Sequence, residues 1–286
     1  MDTIALSAIS FHQALFSGRM SQREIPARAA ALGFSAVELL DLLAVPLPFG
    51  PATGIVRRAW HTVKTLLPFA PHNPRPIRPK AYEPAIGADL RGIADKAGVQ
   101  VISWTLDTDL AVRGDALIEA EAYWKRGVAT AHALGASVLR ITSGGTPDAT
   151  LLPTMRTNLQ QMVQLAQGLK VGVENHGGLS SDPALLVALV EGIENAGCCL
   201  DLGNYPVAIR HDAIPLLAPH TVHVHAKSYA FDAAGNETTV DYPTFIPLLQ
   251  AAGYQGYYSI EYEGHDDPEQ GIGQTKALLA RLIREY

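Results

Sequence analysis

Four short apolar runs in the second half of the chain each end in a side chain able to bind a metal ion or move a proton. They are VGVE ending at Glu174, CCLD at Asp201, TVHVH at His225 and YYSIE at Glu261. Successive members lie 27, 24 and 36 residues apart, each interval filled mainly by a helix-like segment. That is the beat of consecutive β/α units in a parallel barrel, whose strand C-terminal ends converge on one face. Two glutamates, one aspartate and one histidine meeting there form a hard, oxygen-rich donor set. Mn²⁺ or Mg²⁺ suits it, with Co²⁺ or Zn²⁺ as alternatives. Four successive strand ends rarely converge to make a mere buried ion-pair network, so the expectation is a metalloenzyme.

The elements that must position these residues alternate along the whole chain. Residues 3–9 read as the first strand, and Gln22 to Leu32 as a helix with Ser21 as its N-cap. Residues 33–39 (GFSAVEL) give strand 2, with Glu38 near its end. A helix over Ala88 to Ala97 closes at Gly98, and residues 99–106 form strand 3. A helix from about Ala116 to Leu134 precedes strand 4 at 136–142, and Leu152 to Leu169 forms the next helix. Strands 5 to 8 then carry the four residues above, and a last helix runs from about Pro268. Eight such units predict a (β/α)₈ TIM barrel, with 1–286 as a single domain.

Composition agrees with that size and narrows the class. The 286 residues are 48% hydrophobic, enough for one large core, and only 17% charged, which leaves little for a solvated tail. A formal charge of −6, with no Lys/Arg cluster, argues against a nucleic-acid partner. Cys198 and Cys199 are adjacent on a strand, point to opposite faces and cannot form a disulfide framework. No apolar run is long enough to span a membrane and no secretory leader is visible, so a soluble, cytoplasmic protein is expected.

One stretch breaks the beat. Residues 44–86 are crowded with proline around one short helix-like piece, an insertion between strand 2 and its helix. Loops on that side of a barrel share the face of the strand ends, so a lid over the site is expected. Trp60, His61 and Phe69 are its candidate pocket residues.

Strand alternation orders the remaining candidates. If Glu174 points into the barrel, His176 shares its face, and His223 and Lys227 share that of His225. Three ionisable side chains on one strand face would be costly in a sealed core unless paired or metal-bound. Glu38 reads as a supporting partner or a helix cap, Arg140 as a ligand-facing charge at the end of strand 4, and Trp104 as a pocket wall. His176 is expected to hydrogen-bond substrate or to support a ligand from behind, and His223 to be a satisfied core residue.

The segments VENHGG, CLDLGN, HVHAKS and SIEYEG resemble the metal-site motifs of the sugar phosphate isomerase/epimerase family, the xylose isomerase-like TIM barrels. The likeness extends to VEL on strand 2, AGV before strand 3 and AGYQGYYSIEYEG near the end, and covers the chain apart from 44–86. It implies one divalent metal, Mn²⁺ first, held by Glu174, Asp201, His225 and Glu261. It further implies that Glu174 and Glu261 act as general base and acid on opposite faces of a sugar, through an enediolate. Lys227 matches the lysine that follows the family's metal histidine by two, and is expected to contact substrate or to pair with Glu174 or Glu261. Two positions depart from the pattern. Asn204 stands where several epimerases carry a histidine three residues after the aspartate, and Ser228 where many members carry an aspartate. Asn204 is therefore the substrate contact expected at that place.

The expected activity is isomerisation or epimerisation of a sugar or keto-polyol, a small carbohydrate substrate. The alternative is a metal-dependent lyase or dehydratase that uses the same first step for β-elimination from a keto-sugar or keto-glycoside. There His176, His223 or Lys227 would protonate the leaving group. A third expectation, a barrel that has lost catalysis, conflicts with the presence of all four ligands. The family's habit of assembling implies a homo-oligomer.

Overall fold

A computed structural model describes residues 3–43 and 84–285. The insertion expected at 44–86 falls almost wholly outside them, as do Trp60, His61, Phe69 and the lid reading built on them; only its last residues, 84–86, are described, and these open a helix. The strands are β1 (Ile4–Ser7), β2 (Ala36–Leu40), β3 (Gln100–Leu106), β4 (Val138–Thr142), β5 (Lys170–Glu174), β6 (Ala196–Asp201), β7 (Thr221–Ser228) and β8 (Tyr258–Tyr262). They pair in sequence order, and β8 returns to β1, giving a closed parallel barrel. The helices are α1 (His12–Phe16), α2 (Ile25–Ala31), α3 (Pro84–Ala97), α4 (Asp115–Leu134), α5 (Leu152–Ala166), α6 (Pro183–Val190), α7 (Val207–Leu217), α8 (Tyr242–Ala251) and α9 (Pro268–Glu285). The fold is the expected (β/α)₈ barrel.

Local chemistry sets the element boundaries. Ser21 and Glu24 form a reciprocal capping box, with the Ser21 hydroxyl accepting from Arg23 N at 3.3 Å and Glu24 accepting from Ser21 N at 2.8 Å. That cap opens a 3₁₀ turn before α2, so the helix proper starts later than Gln22. β1 stops at Ser7, two residues short of the expected end, because Ala8–Phe11 turn into a 3₁₀ helix. Conversely, α3 begins four residues early, at Pro84. Proline is tolerated at a helix start, where its missing N–H would have had no partner.

The barrel has two cores. Alternate strand residues such as Leu39, Trp104, Leu139, Val173 and Leu200 join the helices in one large apolar layer. Inside, Ala5, Ala36 and Ile102 form a small apolar plug with Tyr257 packed on it. Above that plug the interior turns polar, with Ser7, Glu38, Thr105, Arg140, Glu174, His225, Lys227 and Glu261 all buried. Burying this many polar groups is costly unless each finds a partner. Among the described residues, no helix is long and apolar enough to cross a membrane.

Candidate active site

The register of the last four strands brings the four motif residues to one level. Glu174 pairs with Cys199, Asp201 with His225, and Lys227 with Glu261. His225 Nδ1 lies 2.8 Å from Glu174 Oε1 and 3.3 Å from Glu261 Oε1, so carboxylates from β5 and β8 flank one imidazole nitrogen. Ligand atoms of Glu174, Asp201, His225 and Glu261 all lie within 4.8 Å of one another, and all four residues are buried.

Asp201 is anchored from two sides. Asn175, just past β5, accepts from Asp201 N at 2.7 Å and donates to its carbonyl at 3.0 Å, tying the two strand ends together. The Asp201 carboxylate accepts from Gly203 N at 2.7 Å and Asn204 N at 3.0 Å, which leaves Oδ2 facing the barrel. There Lys227 Nζ stands 2.9 Å away, and the same ammonium is 3.3 Å from Glu261 and 3.0 Å from Glu263. It also donates to Asn204 Oδ1 at 3.2 Å, so Asn204 and Lys227 form one polar edge of the site.

Arg140 occupies the middle of β4 rather than its end, and its guanidinium reaches across to Glu174, with Asp107 3.6 Å away. His176 stands exposed at the mouth just beyond β5. It still loses enough solvent, with Arg140 and Lys227 nearby, to lower its pKa. Trp104 is a correction. It is fully buried in register with Leu39 and Leu139 and packs in the helix-facing layer, away from the site. Strand parity explains the difference, because Thr105, its neighbour, is the residue that turns inward and donates to Glu38 at 3.2 Å.

Below the four motif residues lies a second buried group. Glu38 Oε2 is 2.6 Å from His223 Nε2, and Oε1 is 3.0 Å from His225 Nε2. His223 is thereby satisfied in the interior, as expected. Glu38, Glu174, Asp201, Glu261 and Glu263 supply five carboxylates against the two permanent cations Arg140 and Lys227. The electrostatics follow that excess. Burial opposes charge on the His225 ring, but Cys199, Glu261 and Glu38 raise its pKa well above the ordinary value. Burial likewise opposes the Lys227 ammonium, yet Asp201, Glu261 and Glu263 raise it well above its usual pKa. Glu261 is pushed upward by burial, only partly offset by His225 and Lys227. Three carboxylates and an imidazole converging in a site with surplus negative charge fit a divalent cation. The buried Glu/His cluster could thus bind a metal.

Sequence reasoning missed Glu263 and Asn175. Glu263 carried a signal, since it lies two residues beyond Glu261, just past the end of β8. Asn175 carried none, because it falls on the opposite parity to Glu174 and its part is to bond the Asp201 backbone.

Residues 26–282 match the xylose isomerase-like TIM barrel family, and the chain belongs to it. A C-glycoside deglycosidase alpha subunit of Arthrobacter globiformis is 37% identical over 76 residues, covering 24% of this chain and 22% of the relative. The chain thus matches only about a fifth of that relative's length. Among solved structures, an L-ribulose 3-epimerase aligns with a TM-score of 0.67 at 15% identity, over 100% of this chain and 95% of that one. The probable 3-DHS dehydratase AsbF of Bacillus anthracis aligns at 0.66 with 16% identity, over 98% and 99%. Relatives in this family are enzymes of several reaction types, including isomerases, epimerases, dehydratases and deglycosidases.

Proposed function

We propose that the protein is a divalent-metal-dependent isomerase or epimerase of a sugar or keto-polyol, with Glu174, Asp201, His225 and Glu261 as ligands and Mn²⁺ as the preferred ion. The observation that carries this reading is the pair of carboxylates, from β5 and β8, flanking His225 Nδ1. The bound ion would polarise the substrate carbonyl and so acidify the neighbouring C–H. Glu174, paired with the Arg140 guanidinium, takes that proton on a carboxylate oxygen. Glu261, whose pKa burial raises, returns one from the other side of the sugar. Lys227 and Asn204 bind substrate hydroxyls along one edge, and His176 does so at the mouth. We place the whole chain in one barrel domain, with 44–86 as its lid, in a cytoplasmic homo-oligomer.

A second reading is favoured by the identity to a C-glycoside deglycosidase alpha subunit. In it the same deprotonation is followed by loss of a β-substituent from a keto-glycoside. His223 is committed to Glu38 beneath the site, and Lys227 holds its proton too tightly to be a good acid. His176 at the mouth is then the proton donor to the leaving group.

Incubating the Mn²⁺-loaded protein with ketoses and keto-glycosides in D₂O separates the readings by NMR. Deuterium beside the carbonyl with an epimeric or isomeric product supports the first, and an unsaturated or cleaved product supports the second. For the first reading, Glu174→Gln and Glu261→Gln should each slow turnover by about 10²–10⁴-fold. Full activity in Glu261→Gln would eliminate the two-glutamate mechanism.

A further inference from the structure

We infer that Glu38 is a positioning residue for His225, holding a proton on ring atom Nε2 so that the Nδ1 lone pair is turned toward Glu174 and Glu261. The inference rests on the metal-dependent reading above and extends it to the floor of the barrel.

Glu38 is buried to 1% exposure in the middle of β2, and four donors from three other strands converge on it. Ser7 of β1 lies 3.4 Å and Thr105 of β3 lies 3.2 Å from Oε1. From β7, His223 Nε2 lies 2.6 Å from Oε2, and His225 Nε2 lies 3.0 Å from Oε1. An ionised carboxylate only accepts hydrogen bonds, so each imidazole must present an Nε2–H to it. His225 Nε2 is buried and makes no hydrogen bond of good geometry among the described residues; the Glu38 carboxylate, 3.0 Å away, is an acceptor within its reach. The two rings meet edge to face, 5.4 Å apart at 86°, so both can turn an Nε2 edge to one carboxylate.

The consequence appears on the other side of the ring. A neutral imidazole protonated at Nε2 carries its lone pair on Nδ1. In His225 that atom faces two carboxylate oxygens, 2.8 and 3.3 Å away. With no cation there, Nδ1 can itself carry a proton shared with those oxygens; a divalent ion would take the place of that proton, while Glu38 keeps the other on Nε2. A carboxylate behind a metal-binding imidazole fixes ring orientation and raises ligand basicity, and its loss weakens metal binding by roughly 10–100-fold.

The test compares wild type, Glu38→Gln and Thr105→Val by calorimetric titration with Zn²⁺, a diamagnetic probe, and by ¹⁵N-histidine NMR of the loaded proteins. Wild type should bind one ion through His225 Nδ1 and show a His225 Nε2 proton protected from exchange. Glu38→Gln should bind Zn²⁺ about 10–100-fold more weakly and lose that protected proton. Thr105→Val, which removes another donor to Glu38 but leaves the imidazole contact, should keep both. Unchanged affinity and an unchanged Nε2 proton in Glu38→Gln would overturn the inference. A second bound ion that Glu38→Gln abolishes would also overturn it, because Glu38 would itself be a ligand. The wild-type spectrum decides even if the variant fails to fold, since His225 bound through Nε2 contradicts the assignment. Wild type binding no divalent ion would instead remove the metal-dependent reading, and this inference with it.

Discussion

Replacing Lys227 by Met tests whether the site is held together by charge that a metal ion can supply. Lys227 is 5% exposed, and its ammonium lies 2.9, 3.3 and 3.0 Å from Asp201, Glu261 and Glu263. Met keeps most of the volume but leaves Asp201 and Glu261 buried without that cation. Breaking a buried ion pair from one side costs about 3–5 kcal/mol. An unfolding entropy of about 2.1 cal/mol/K per residue gives about 0.6 kcal/mol/K for a chain of this length, so Tm should fall by about 5–8 °C in chelator. Saturating Mn²⁺ should recover most of the loss, because the ion replaces the missing positive charge. The sign with pH is also fixed. Lys227's folded pKa is raised, so its contribution is fully present below the ordinary lysine pKa and is lost only as pH rises through the folded value. The deficit should therefore be much the same from about neutral pH to about pH 9. Scanning calorimetry with and without metal at those two pH values is the assay. A Tm unchanged in chelator, or an equal drop with and without Mn²⁺, would refute the electrostatic reasoning.

Three further outcomes are expected. For wild type, a divalent ion at about a hundred times its Kd should add about 2.7 kcal/mol of stability over the chelated protein; no Tm response to Mn²⁺, Mg²⁺, Co²⁺ or Zn²⁺ would sink the metal site. Trp104→Phe should cost about 1–3 kcal/mol in urea unfolding while leaving KM unchanged, because the indole packs against the helix layer. A shifted KM would return it to the pocket. Gly178→Ala should destabilise by about 1–3 kcal/mol, since Gly178 has φ +55° and a methyl there would run into the Gly144 carbonyl; wild-type stability in a urea titration would show that the loop gives way freely.

The order and type of the elements were legible because helical and strand periodicities differ and glycines mark the junctions. The four acidic and basic strand ends were legible for the same reason. A parallel barrel gathers strand C-termini, so residues scattered from 174 to 261 fall on one face by sequence position alone. Parity along β7 also sorted His223 and Lys227 with His225.

Parity failed where the strand is irregular or the partner is remote. The β2–β3 register shifts between Val37 and Glu38, so counting along β3 did not reveal that Thr105 turns inward and Trp104 outward. That Glu38 would meet two imidazoles from β7, 185 residues away in the case of His223, depends on barrel closure and stagger. Nor does local sequence set how the charges divide, with Arg140 on Glu174 and Lys227 on Asp201 and Glu261. Pairing among buried charges follows distances of a few ångströms between strands, and only the closed barrel defines them. Residue type and strand order settled which chemistry could gather at the mouth, and barrel closure settled which side chain holds which.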